Sequence, residues 1–356
     1  MNKISIYMLK KYLLGFVLAI TVLLGINLLV MLISELKNVG NHDYTLTILF
    51  TYILYLIPQN ILDVFPYALL IGSMASFGSM AYHSEFIALN SHGVGIKRTM
   101  SIVIIQTFLI AVVLTVITNS IAPKYSNDAQ TLKNISLNKG LSDKTIWFKS
   151  KDYIVNVKRI ITDVRLENIV IYNLSNGELS NTLTAEEGKF INNKWEFSNV
   201  KFHNLLTNEI TQKDHYDLSA MNFIPFEILK SQFNKKRYIS IQDLYRNINF
   251  HNKMAIPYEN HKVVFWKKIL LPFSCCIIVF VGLPFLFTRM RSTNQSKRLI
   301  FGVLFGITYF VITSIITNMA VIIGLPAFLS VIISMFFFIV MGVYLFNILI
   351  RKDIPI

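Results

Sequence analysis

The sequence predicts an α-helical membrane protein with an inserted all-β domain, in which three spanning helices precede the insert and three follow it. Of the 356 residues, 53% are hydrophobic and only 15% are charged, whereas soluble domains carry about 25% charged residues. The charges are also uneven, because residues 124–262 hold 20 of the 34 basic and 15 of the 20 acidic side chains. A charge-rich module therefore interrupts an apolar chain.

Four stretches contain no Asp, Glu, Lys or Arg: residues 12–34, 99–123, 269–288 and 299–350. A charge at the centre of a spanning helix costs about 2.5–3.5 kcal/mol, so such stretches are candidate spans. The first three match the length of about 20 residues that one span needs. The fourth is long enough for two, and Asn318, Gly324 and Pro326 predict a break that gives spans near 298–319 and 327–350.

Residues 44–84 are interrupted only by Asp63 and contain Pro58 and Pro66. A single helix of that length would measure about 60 Å, twice the hydrocarbon core of a bilayer. Two interpretations are open. The region forms two spans, or it forms one span near 63–84 preceded by an apolar helix that projects from the bilayer or lies along it.

The positive charges favour the second interpretation. With one span in this region, three lysines lie on one side of the membrane, Lys37, Lys267 and Lys268, and eleven basic residues lie on the other. Those eleven are Lys3, Lys10, Lys11, Lys97, Arg98, Arg289, Arg291, Lys297, Arg298, Arg351 and Lys352. Because positively charged loops stay in the cytoplasm, we expect six spans, both termini inside and the charged module outside.

Three domains follow from this topology. Residues 1–123 hold spans 1 to 3, residues 124–262 form a stalk and a β domain, and residues 263–356 hold spans 4 to 6. Within the middle domain, residues 124–140 continue span 3 as a polar stalk, and Ser240 with Asp243 predicts a capped helix.

The β domain is indicated by a change of period between about residues 145 and 225. Alternating apolar positions in Tyr153–Val157, the run Ile169–Tyr172 and the segment Trp195–Phe202 are typical of short strands. Turn signals separate them at Ser175-Asn176-Gly177, Gly188 and Asn192-Asn193. This spacing predicts an antiparallel sandwich or jelly roll.

Catalytic motifs are not found. The string Gly93-Val-Gly95-Ile-Lys97 lacks the spacing of a phosphate-binding loop, the seven histidines form no pair at i,i+4, and the two cysteines are adjacent in an apolar run. We expect no catalytic residues, no metal and no cofactor, and no nucleic-acid partner. A membrane-anchored envelope enzyme, or a sensor with an active or ligand site in the β domain, is the alternative.

The loop after span 2 predicts a short amphipathic helix over residues 82–95, with Gly93 as its C-cap. Phe86 and Leu89, with Ile87 as a further candidate, form its apolar edge, and Glu85 lies near its N-terminus, where the helix dipole favours a carboxylate. Two interpretations are open: a connector on the membrane surface, or a coupling helix that docks into a cytoplasmic motor protein. On span 5, Gly302-Val-Leu-Phe-Gly306 allows close helix approach, within the chain or with a partner.

Several tracts, in order along nearly the whole chain, resemble the LptF/LptG permease family of the lipopolysaccharide export ABC transporter, and the later tracts are closest to its LptG branch. These are Phe65–Gly72, Ser84-Glu85, Ser91-His-Gly93, Ala122-Pro123, Trp266–Pro272 and Gly324-Leu-Pro326. The inserted module lies where the family has a periplasmic jelly roll.

The resemblance implies a permease subunit without catalysis of its own in the bacterial inner membrane. It would extract lipopolysaccharide from the outer leaflet and pass it to a periplasmic bridge toward the outer membrane. The implied partners are the homologous permease LptF, a cytoplasmic ATPase dimer, LptB, and the single-span protein LptC beside span 1. Spans 1 and 5 would line two lateral gates.

The resemblance also implies site residues. The ATPase groove would receive the coupling set Ser84, Glu85, Phe86, Leu89 and Gly93. An outer rim of basic residues would hold the substrate's phosphates, with Lys37, Lys133, Lys267 and Lys268 as candidates; the alternative for each is ordinary interfacial snorkelling.

At two positions where the LptG branch often has lysine, this chain has Met31 and Gln59, so Lys37 is expected to take over part of their role. Asp63 is a further candidate because acidic residues at membrane depth are usually functional; the alternative is that it caps the helix after Pro58.

Overall fold

In the computed structural model, helices and one β-sheet account for most of the described chain. The described residues are 3–137, 146–149, 153–162, 165–175, 178–191, 194–204, 209–219, 239–253, 259–287 and 295–351. Before the sheet lie helices α1 (Lys3–Leu36), α2 (Leu46–Tyr82), α3 (Glu85–Ser91) and α4 (Ile96–Ser136). After the sheet lie α5 (Ile241–Lys253), α6 (Glu259–Ile269), α7 (Leu271–Gly282), α8 (Pro284–Phe287), α9 (Gln295–Ile322) and α10 (Ala327–Arg351).

The apolar helices confirm the predicted fold class. In the described part of the chain, α1, α2, α4, α9 and α10 are each long and apolar enough to cross a membrane. A sixth candidate span is the bent pair His261–Ile269 and Leu271–Leu286. The β-sheet lies in the sequence between α4 and this bent pair, as expected.

Helix α2 answers the question that the sequence left open about residues 44–84. It is a single helix of 37 residues that continues through Pro58 and Pro66. At 1.5 Å per residue it is about 55 Å long, well beyond the hydrocarbon core of about 30 Å. The region is therefore one long helix and not two spans.

The predicted span at residues 269–288 begins at a sharp bend. The helix axis turns by 64° between His261–Ile269 and Leu271–Leu286, and Pro272 lies in the first turn of α7. Proline lacks a backbone N–H and disfavours a helical conformation in the residue before it. Lys267 and Lys268 lie on α6, the arm of this candidate span that precedes the bend.

The six strands form one antiparallel sheet in sequence order: β1 (Ile146–Lys149), β2 (Tyr153–Thr162), β3 (Arg165–Ser175), β4 (Glu178–Ile191), β5 (Lys194–Asn204) and β6 (Glu209–Ser219). The inserted β domain is confirmed. Among the described residues its strands are connected as a meander, and the crossing connections of a jelly roll are not among them. Val157, Ile169, Trp195, Phe197 and Val200 are buried in its core.

The expectation of a turn at Gly188 was wrong. Gly188 lies inside β4, opposite Leu166 on β3 and Phe197 on β5. A Cβ atom there would lie 2.7 Å from Ile169 Cδ1 and 2.9 Å from Phe197 Cε1. The glycine therefore makes room for core side chains.

Several residues used in the sequence predictions lie outside the described residues: the turn signals Asn176-Gly177 and Asn192-Asn193, and the loop cations Arg289, Arg291 and Lys352.

The chain divides into two compact units. The first comprises Met1–Ser34, Leu56–Pro123 and Glu259–Ile356, and its core includes Tyr12, Phe65, Phe77 and Phe338. The second comprises Glu35–Tyr55 and Lys124–Tyr258. It contains the β-sheet and helix α5, whose N-terminus is capped by the Ser240 hydroxyl, which accepts a 3.0 Å hydrogen bond from the Asp243 backbone N–H.

Candidate functional site

Helix α3 is held by defined turns at both ends. Ser84, which precedes it, has the left-handed φ of 57°, a conformation that a residue with a Cβ atom adopts only at a cost. At the other end, the Val94 N–H bonds to Leu89 O and the Gly93 N–H to Asn90 O, both at 3.0 Å. With Gly93 at φ +80°, this is a Schellman motif. The glycine C-cap predicted from the sequence is present.

Glu85, the first residue of α3, is bound to helix α1 through both carboxylate oxygens. Lys11 Nζ lies 2.5 Å from Oε1, and Tyr7 Oη donates a 3.0 Å hydrogen bond to Oε2. The Lys11 ammonium also lies 4.9 Å from the centre of the Tyr7 ring. The two side chains of the ion pair remain 31% and 27% exposed, so the carboxylate is accessible from the solvent side.

The apolar residues of α3 point in two directions. Phe86 and Leu89 pack against the core of the helical unit, whereas Ile87 is 62% exposed. Ser84 and Gly93 are exposed at the two ends of the helix. Of the apolar residues proposed for coupling, Phe86 and Leu89 therefore fix the helix to the bundle, and Ile87 is the one presented outward.

Lys133, near the end of α4, is neutralised by Glu35 of α1. Its ammonium lies 2.5 Å and 2.6 Å from the two Glu35 oxygens and 5.0 Å from the centre of the Tyr52 ring. Asn38 Nδ2 donates a 2.8 Å hydrogen bond to the same carboxylate, and Gln130 Nε2 donates a 3.1 Å bond to Tyr52 Oη. The sequence prediction missed Glu35 as the counter-ion.

Tyr44 lies in the connection between α1 and α2 and is almost completely buried. This burial, with a smaller contribution from the Glu35 carboxylate, raises the pKa of Tyr44 to about 12. The phenol therefore stays neutral under physiological conditions. Together with the Glu35 ion pair, it marks a desolvated polar cluster that ties the C-terminal end of α1 to the start of α2 and the C-terminal part of α4.

The other three rim candidates differ from Lys133. Lys37 follows the end of α1 and is exposed, and no described residue forms an ion pair with its side chain. Lys267 is exposed and Lys268 half-buried on α6, a helix that packs against α10 through the Trp266 and Phe328 rings, 4.6 Å apart. Lys37 and Lys267 are thus the rim candidates whose side chains are exposed.

Of the two positions that depart from the family pattern, Met31 contacts the neighbour of Gln59 in the sequence, and Gln59 contacts Asp63. Asn60 Nδ2, next to Gln59 in the sequence, lies 3.7 Å from Met31 Sδ. Gln59 Nε2 donates a 3.3 Å hydrogen bond to Asp63 Oδ1. Asp63 is therefore part of a polar cluster with Gln59 at this level of α2.

The glycine pair on α9 is used within the chain. A Cβ atom at Gly302 would lie 3.1 Å from Met74 Cγ, and one at Gly306 would lie 3.6 Å from Tyr67 Cδ1. Both neighbours belong to α2. The sequence left open whether these glycines contact a helix of this chain or of a partner; the structure shows contact within the helical unit.

These features define a multi-pass membrane protein with an inserted β domain and a short, firmly held helix between its second and third spans. No group of His, Cys, Asp or Glu suited to a metal ion occurs among the residues that the structure describes. The chain matches the family model of the lipopolysaccharide export system permease LptF/LptG over residues 6–348. It belongs to that family, and its function is that of a lipopolysaccharide export permease.

Two relatives named LptG match this chain over almost its whole length and theirs. The chain is 26% identical over 344 residues to the lipopolysaccharide export system permease protein LptG of Haemophilus influenzae, covering 93% of this chain and 94% of the relative. It is 22% identical over 339 residues to the protein of the same name from Escherichia coli K12, covering 93% of both chains. The similarity is therefore collinear and extends over both units.

Proposed function

We propose that the chain is the LptG-type subunit of a lipopolysaccharide exporter in the bacterial inner membrane. It extracts lipopolysaccharide from the outer leaflet of that membrane and passes it to a periplasmic bridge toward the outer membrane. The observation that carries this proposal is the collinear similarity to relatives named LptG over 93% of the chain. The enzyme and sensor alternatives have no comparable support.

The proposed topology has both termini and α3 in the cytoplasm and the β domain, residues 124–262, in the periplasm. Its support is the charge count, in which eleven basic residues fall on the cytoplasmic side and three on the other. Residues 1–123 and 263–356 then form the two three-span halves.

The proposed partners are the homologous permease LptF, the ATPase dimer LptB and the single-span protein LptC. Support for the two membrane-spanning partners comes from α1, whose buried residues Met8, Tyr12, Phe16 and Ala19 all lie in its first half. The second half exposes Ile26, Leu29 and Ile33, an apolar surface suited to lipid, to acyl chains or to another spanning helix. The same holds for the exposed side of α9 at Leu304, Ile307 and Ile315.

Energy is supplied by the separate ATPase, which docks on α3. Glu85 is the charged contact and Ile87 the exposed apolar one, while Phe86 and Leu89 anchor the helix and Ser84 and Gly93 fix its ends. Because α3 is fixed at both ends, a displacement of the ATPase would be transmitted to the membrane helices with less loss than through a flexible loop.

At the outer rim, Lys37 is the proposed contact for the phosphates of the substrate. Lysine binds phosphate as a point charge, and the interaction is strongest where no carboxylate competes for the cation. Lys133 is a weaker candidate because Glu35 already holds its charge, and Lys267 and Lys268 rank between the two.

Charge reversal tests the docking proposal. Glu85→Lys should abolish copurification of the ATPase with the permease complex while membrane insertion is unchanged. Asn90→Lys is the control for added lysine, because it places a lysine at an exposed position of the same helix without removing Glu85; it adds one positive charge, and Glu85→Lys changes the charge by two. Normal copurification of the ATPase with the Glu85→Lys variant would refute the docking role of this carboxylate.

A further inference from the structure

The Glu85 carboxylate does not stand alone in the cytoplasmic site, because its two oxygens are held by two residues of α1. Lys11 pairs with Oε1 at 2.5 Å and Tyr7 donates to Oε2 at 3.0 Å. Residues four apart on a helix lie on the same face, so Tyr7 and Lys11 form one surface of α1 against which the start of α3 rests.

The part of α1 that holds Glu85 is itself fixed to the bundle. Tyr12 Oη lies 3.0 Å from Thr107 Oγ1 on α4, and Gln106 Nε2 donates a 2.8 Å hydrogen bond to Ser5 O. Ser76 Oγ of α2 donates a 2.7 Å bond to Lys11 O. Because these bonds are made by the same turns of α1 that carry Tyr7 and Lys11, a force on Glu85 is applied to a rigid helix.

The ion pair between Glu85 and Lys11 also changes the charge that a docking partner encounters on α3. A carboxylate has about four lone-pair directions, so Glu85 can accept a further bond from a basic partner while Lys11 stays in place. Its negative charge is, however, largely offset by the Lys11 ammonium. Lys11 therefore weakens the attraction between Glu85 and a basic groove but keeps the carboxylate joined to α1.

We infer that Lys11, with Tyr7, is a positioning residue that joins the docking carboxylate Glu85 to the first membrane span. Movement of a cytoplasmic partner with a basic groove is passed through Glu85 and Lys11 directly to α1, the helix whose outer half is exposed. This inference rests on the proposed docking at α3 and adds the element that transmits the movement.

The test compares Lys11→Met with Lys10→Met in the reconstituted permease and ATPase complex. Lys10 is the neighbouring, exposed lysine, so both variants lose one cytoplasmic charge. Two quantities are measured: the amount of ATPase bound per complex, and the lipopolysaccharide moved per ATP hydrolysed. For Lys11→Met we expect unchanged or higher ATPase binding with transport per ATP lowered about threefold to tenfold, which lies within the range by which mutations alter coupling between sites.

Lys10→Met should leave both quantities unchanged, and Lys11→Arg, which keeps the charge, should restore most of the transport per ATP. The inference is overturned if Lys11→Met has normal transport per ATP, or if ATPase binding falls in parallel with the yield of complex, which indicates a structural role only. Normal ATPase binding by Glu85→Lys would instead refute the docking proposal, so the two failures are distinguishable.

Discussion

The ion pair between Glu35 and Lys133 allows a structural role of Lys133 to be separated from a role in substrate binding. The two side chains are only 13% and 19% exposed, and both carboxylate oxygens lie within 2.6 Å of the ammonium. The perturbation is a double-mutant cycle of Lys133→Met, Glu35→Gln and the two combined. If Lys133 serves the fold, the combined variant is more stable and supports better growth than Lys133→Met alone.

The magnitude follows from the burial of the pair. Exposed ion pairs contribute about 0–1 kcal/mol, and removing one partner of a buried pair costs about 3–5 kcal/mol. Because this pair is mostly buried, we expect Lys133→Met to cost about 2 kcal/mol through the uncompensated Glu35 charge. The combined variant should recover about 1 kcal/mol or more of this cost, as expected for residues in direct contact.

The assay has two readouts: the apparent midpoint of thermal unfolding of the purified complex, and rescue of growth in cells depleted of the native permease. Lys133→Met should lower both, and Glu35→Gln/Lys133→Met should recover both. If the effects of the two substitutions on stability are additive within about 0.5 kcal/mol, the pair is not energetically coupled. If stability recovers but growth does not, Lys133 contacts the substrate directly.

Two further predictions concern packing and topology. Gly15→Ala should lower the unfolding midpoint, because a Cβ atom there would clash with the Ser76 hydroxyl and lie 2.7 Å from Gly72 O. We expect a cost of about 1–3 kcal/mol. Gly25→Ala should leave the midpoint unchanged, because a Cβ atom there would have no neighbour within 4 Å. A cysteine at the exposed Lys201 position, in a chain lacking Cys275 and Cys276, should react with an impermeant maleimide in spheroplasts.

Each of these predictions has a clear contrary result. Equal midpoints for the two alanine variants would mean that α1 and α2 do not approach as closely at Gly15 as described. Labelling at Lys201→Cys only after the inner membrane is disrupted would place the β domain in the cytoplasm and reverse the proposed topology.

The fold class could be predicted because the energies involved are large and local. A single charge within a span is costly, so the charge-free stretches at 12–34 and 99–123 identify helices by themselves. The hydrophobic pattern of residues 44–84 does not determine whether they form one helix or two. The answer depends on whether a helix can continue through Pro58 and Pro66. The bend before α7 had a signal in Pro272, but its size of 64° cannot be read from the position of a proline.

The site was predicted less completely, because the missing part lies in contacts between residues distant in sequence. Glu85 and Gly93 could be recognised from their positions in a short loop. Lys11 was counted only as a topology signal, although its spacing from Tyr7 places both on one helix face. Likewise, Lys133 was expected to be available for phosphate, since nothing in the local sequence indicates that Glu35, 98 residues away, neutralises it.

The most direct test of the account is photocrosslinking to lipopolysaccharide from the assembled complex. Photoreactive residues are placed at three exposed positions, Leu29 on α1, Ile315 on α9 and Phe336 on α10. If the chain moves lipopolysaccharide past its first and fifth spans, Leu29 and Ile315 give crosslinks that change on addition of ATP, and Phe336 gives none. Equal crosslinking at all three positions, or none at Leu29 and Ile315, would contradict the proposed path.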